Sequence, residues 1–259
     1  MQPVDWYGLP STPLTMSVRA VPQPGGSGVY RNSRFVLTFD DYPDPDTLPF
    51  GAVALTSGSA LFDATVRVRL VDRAIEVRPR SLLWPNNLYL LSVSGIGSIG
   101  GRHVPDAGLG VRIGVGGELA ELPSEPPPPQ WADVRPHLEG CAVAGCHTQR
   151  DGNAPARNLV LDGDPRDSIY GLIGVPALSR RDTSARLARV APGDAARSVL
   201  LRKLLGGDPS EAEAGERWPK MAIDGVRMPP WPAPPLDEAT LHLIEAWIDG
   251  GAPVEAAPQ

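Results

Sequence analysis

Four consecutive prolines, Pro126–Pro129, divide this chain into two halves with different residue patterns. Proline fixes φ and lacks a backbone N–H, so such a run makes an extended, semi-rigid spacer. The stretch around it, residues 116–130, also carries Glu118, Glu121 and Glu125 and reads as a linker. One domain is therefore expected over 1–115 and a second over 131–259, and a length of 259 residues is ample for two.

The first half reads as strands. Ser33–Asp40 alternates apolar and polar positions and ends in an acidic turn, Asp40-Asp41-Tyr42-Pro43-Asp44. Val53–Ser57 is short and β-compatible, Thr65–Leu70 alternates strictly and Ala74–Pro79 nearly so, and Leu88–Ser94 comes after the turn Trp84-Pro85-Asn86-Asn87. With 30 prolines and 28 glycines the chain is rich in turn formers. The expectation is an all-β sandwich of about 100 residues.

The second half reads as helices. Trp131, Val134 and Leu138 fall at helical spacing, with Pro136 expected to interrupt the turn. Asp164-Pro165 offers an N-cap and a first-turn proline ahead of Ile169, Tyr170, Leu172 and Ile173. Pro192-Gly193-Asp194 precedes Val199, Leu201, Leu204 and Leu205, and Asp237 opens a segment carrying Leu241, Ile244, Trp247 and Ile248 before Gly250-Gly251. An all-α domain is expected here.

The chemistry concentrates in Cys141-Ala-Val-Ala-Gly-Cys146-His147. Two thiols followed at once by a histidine are what covalent haem attachment requires, although four residues separate the cysteines where two are usual. Three other readings stay open: a local disulfide, a zinc site completed by His137 or His242, and a pair of buried thiols. For a haem, the second iron ligand would be Met228, in Arg227-Met228-Pro229-Pro230; its alternative role is to fill a gap in the core. Arg150, Arg227 and Trp218 are candidate partners for haem propionates.

Two resemblances follow. Residues 131–253 resemble single-haem cytochrome c domains of the planctomycete and myxobacterial type. The likeness rests on Cys141-…-Cys146-His147, Asn158–Asp162, Val190–Ser198, Arg227–Pro230 and Ile244–Pro253. Residues 15–113 resemble bacterial Ig-like domains through Arg31–Asp40, Asp46–Leu48, Arg78-Pro79, Leu83 and Leu88–Val93. The resemblance implies an Ig-like sandwich followed by an all-α cytochrome c-like domain. It also implies one covalent haem c on Cys141 and Cys146, ligated by His147 and Met228.

The function so implied is single-electron transfer to a redox partner protein, without substrate turnover, at the cell surface or in the periplasm. The export signal, of lipoprotein or other type, would then have been removed. The competing functions are a haem enzyme of peroxidase type and a haem-free exported scaffold closed by a Cys141–Cys146 disulfide. A formal charge of −6 disfavours a nucleic-acid partner, and no apolar run reaches the ~20 residues that span a bilayer.

Overall fold

Side chains that point alternately inward and outward give the first unit its sheets. The structure is a computed structural model that describes residues 13–23, 28–48, 51–99, 101–105, 108–122, 124–143, 146–148, 158–177, 187–206, 228–229 and 234–254. It divides into Met1–Glu125 and Pro126–Gln259.

The first unit holds β1 (Met16–Val21), β2 (Arg34–Phe39), β3 (Val53–Ser57), β4 (Ala60–Phe62), β5 (Ala64–Arg69), β6 (Ala74–Pro79), β7 (Asn87–Val93) and β8 (Leu109–Val115). They form two four-stranded antiparallel sheets, ordered β1-β2-β6-β5 and β4-β3-β7-β8. The chain changes sheet after β2, β4 and β6, as Greek-key sandwiches do. A period of two puts Phe35, Leu37 and Phe39 of β2 and Ile75 and Val77 of β6 on one buried face. Register places Phe35 opposite Val77 and Leu37 opposite Ile75. The second sheet buries Leu55, Tyr89, Leu91 and Val93. Each such side chain contributes about 1.5–3 kcal/mol by leaving water. Tyr89 also accepts the Trp84 backbone N–H at its Oη (2.6 Å), a tyrosine corner that pins the turn before β7.

The second unit contains α1 (Trp131–Leu138), α2 (Val199–Leu205) and α3 (Glu238–Asp249) among its described residues. Asp237 caps α3 by accepting the Thr240 N–H at 2.8 Å, and Gly250 ends it. Helical spacing then buries Ile244, Trp247 and Ile248 together. The Trp247 ring lies 5.3 Å from that of Trp131 on α1. Both tryptophans donate to the Pro253 carbonyl, Trp247 through Nε1 (3.0 Å) and Trp131 through its backbone N–H (2.9 Å). Gly250 has no Cβ because the Pro128 ring occupies that space. Pro136 lies inside α1 without breaking it, two residues from the helix end.

This second unit is not the all-α domain expected. Beyond three short α-helices and brief 3-10 turns, its described residues are bends, turns and isolated bridges. Ile173 pairs with Val190 and Pro176 with Ala188. The segment after Asp164-Pro165 is a compound turn. Asp167 accepts the N–H groups of Ile169 and Tyr170 on its own carboxylate (2.8 and 2.7 Å), and Leu172 and Ile173 both donate to the Pro165 carbonyl (2.9 Å each). An aspartate that satisfies nearby amides in this way offers the backbone a substitute for helix. Gly174, with φ +72°, then turns the chain away. No helix among the described residues is long and apolar enough to cross a membrane.

Candidate functional site

The cysteine turn forms directly after α1. Leu138 hands over to a 3-10 turn, Glu139–Cys141, and the chain folds back until the His147 N–H donates to the Cys141 carbonyl at 3.2 Å. The Cys146 N–H donates to Val143 at 3.0 Å. Both thiols are half-buried. Burial, and then the charge of Cys146 nearby, push the Cys141 thiol above its ordinary range. It therefore stays protonated at neutral pH, which is the opposite of what an activated cysteine nucleophile needs.

His147 is 8% exposed. Its segment is tied to the strip that follows: the His147 carbonyl accepts the Leu161 N–H at 2.9 Å, and the buried Thr148 donates its hydroxyl to Asp162 at 2.9 Å. The Thr148–Asp162 contact was not singled out from the sequence, although Asp162 stands in the quoted Asn158–Asp162 stretch. Nothing in residue type alone pairs a threonine with an aspartate fourteen positions on.

Met228 is half-buried, and its N–H donates to the Lys203 carbonyl near the end of α2 at 2.9 Å. Arg150, Arg227 and Trp218 lie outside the described residues. His137 and His242, the alternative zinc ligands, have other surroundings. His137 Nδ1 is 3.3 Å from the Thr240 hydroxyl, and His242 lies beside Glu238 and Glu245 on α3.

The comparisons show neither family resemblance. No family model matches the chain, and no curated protein matches it. Solved structures to which the chain is similar include S-layer proteins. One is the N-terminal part of the bacterial S-layer protein SbsC, at 15% identity and TM-score 0.31, covering 40% of this chain and 24% of that one. Another is the S-layer protein rSbsC(31-844), at 16% identity and TM-score 0.31, covering 46% of this chain and 16% of that one. The chain thus spans about a quarter or less of either S-layer chain. Three short helices among the described residues of the second unit do not make the all-α cytochrome c-like domain expected, so the cytochrome and electron-transport reading of the chain does not stand.

Proposed function

We propose that this chain is a non-catalytic scaffold module working outside the cytoplasm, its second unit pinned by a Cys141–Cys146 disulfide. The observation that carries this reading is the bond from the His147 N–H to the Cys141 carbonyl, which brings two half-buried cysteines into one turn. A thiol held protonated and partly shielded suits a structural bond better than an exchange reaction. Forming the bond removes two electrons and two protons, which a disulfide oxidant of an exported compartment takes up.

Intact mass of exported chain, alkylated with and without prior reduction, tests it. The expected result is no alkyl group before reduction and two after it. Two alkyl groups before reduction would overturn the disulfide.

A second reading is favoured by His147, buried and adjacent to Cys146. The residues present fit a covalent haem c: Cys141 and Cys146 would each add S–H across a vinyl group, and His147 would supply an imidazole to iron. Met228 would be the second ligand. The group would supply a redox-active iron at this turn. Arg150, Arg227 and Trp218 would serve its propionates. The same mass spectrum separates the two readings, because a chain heavier by one haem excludes the disulfide.

A further inference from the structure

The outward face of the β1-β2-β6-β5 sheet carries an unusual concentration of arginine. Alternation puts Arg19 on β1, Arg34 on β2, Arg67 and Arg69 on β5 and Arg78 on β6 on this face, opposite in sense to the buried Phe35, Leu37, Ile75 and Val77. Register aligns Arg19 with Val36, Val36 with Glu76, and Glu76 with Arg67 in one row across the strands. Glu76 and, at the rim, Asp72 are the acidic groups lining the concavity of about 160 Å³ between Arg19, Arg34 and Arg69. This cationic excess stands in a chain whose net charge is −6.

The face already holds carboxylates. Both Glu76 oxygens accept from Arg34 Nη1 at 3.2 Å, and Arg78 lies 3.5 Å from Glu76. The linker residue Glu125, with its side chain 70% exposed, places its carboxylate 2.5 Å from Arg78 Nη2. The bond to Arg78 holds the Glu125 carboxyl below its usual range, and the charges of Arg34 and Arg67 add to this. Glu125 is thus a carboxylate from another segment, seated where an outside one would sit. Guanidinium forks match carboxylates in shape as well as charge. Between the arginines stand Ser17, Thr38 and Thr65, whose hydroxyls suit a hydroxyl-rich ligand. The face offers no aromatic ring for stacking bases and no exposed leucine or phenylalanine for entering a lipid surface.

We propose that this arginine face docks a linear acidic polysaccharide, its uronate carboxylates taking the place that Glu125 now holds. The proposal concerns the first unit alone and does not depend on the state of the cysteines.

Binding of the full chain to polygalacturonate, against neutral dextran and phosphatidylglycerol vesicles, tests it. Polygalacturonate should bind, and more weakly as salt rises. The double variant R19A/R67A removes two exposed side chains from the rim of the face. It should lose about ten-fold or more in affinity, since a charge-assisted hydrogen bond contributes about 1.5–3 kcal/mol, with circular dichroism unchanged. E125Q removes the seated competitor and should tighten binding about three-fold, the effect of one exposed ion pair. Equal binding to dextran, tighter binding to the vesicles, unchanged affinity in R19A/R67A, or no gain in E125Q would each overturn the proposal.

Discussion

In the first unit the backbone pairs mainly with itself, along two antiparallel ladders. The second has no such sheet among its described residues, and several of its turns are held by single side chains. Arg189, buried, donates to the carbonyls of Gly171 (2.6 Å) and Ile169 (3.1 Å). Ser198 accepts the Ala191 N–H and donates to the Asp194 carbonyl, while Asp249 accepts the Ala195 N–H. Ladder bonds are generic and survive most side-chain changes, whereas these bonds each depend on one residue type. The contrast teaches that the second unit owes its shape to particular polar residues, and the first to a repeating apolar pattern.

The largest test of that contrast is Trp247→Ala. It removes the central buried ring of α3, its contact with Trp131 and its bond to Pro253. The cost should be about 3–5 kcal/mol, seen in urea unfolding as an early transition of the second unit with the sheet signal intact. A single transition shifted as a whole would break the comparison. Next comes the cysteine pair: closing a six-residue loop should stabilise by about 2 kcal/mol in the chain-entropy view. The double variant C141S/C146S should lose that amount, measured as the drop in midpoint, and its unfolding should no longer respond to reductant. In the first unit, Tyr89→Phe leaves the Trp84 N–H without its acceptor and should cost about 1 kcal/mol while the ladders persist.

The smallest effect is one of pH. The Thr240 amide holds the Asp237 carboxyl below its ordinary 3.8. A depressed folded pKa gives stability that is full above the ordinary value and lost as pH falls through the lower one. Helical ellipticity should therefore decline at acid pH more steeply in the natural chain than in Asp237→Asn, which keeps a capping oxygen without the titration.

How much could be read from residues alone differs between the units for the same reason. Ala74–Pro79 is a strand over the very range that near-alternation picks out, and Val53–Ser57 over the range that reads as short and β-compatible. Met16–Val21, Ala60–Phe62 and Leu109–Val115 were not singled out; the last is diluted by Gly110 and Gly114. Asp237 and Gly250 mark both ends of α3, because a cap acts locally. Asp164-Pro165 sent the same signal and led to a turn, since the Asp167 carboxylate and the left-handed Gly174 outcompeted the helix within the next ten residues. At the cysteines, the spacing was legible but not its consequence: the bond from His147 to Cys141 and the clasp of Thr148 on Asp162 are tertiary facts. The arginine face was legible in principle, because Thr65-Val-Arg-Val-Arg69 puts both arginines on one side of a strand.

One contact has a consequence for how such a chain can be built. Trp131 stands at the entrance of the second unit and Pro253 near its exit, joined by a hydrogen bond, with Gly250 against Pro128 alongside. Entry and exit therefore meet at one spot. A unit closed in this way can be cut from one polypeptide and spliced into a surface loop of another without stretching either, as inserted domains are. Seen so, the second unit is a cassette.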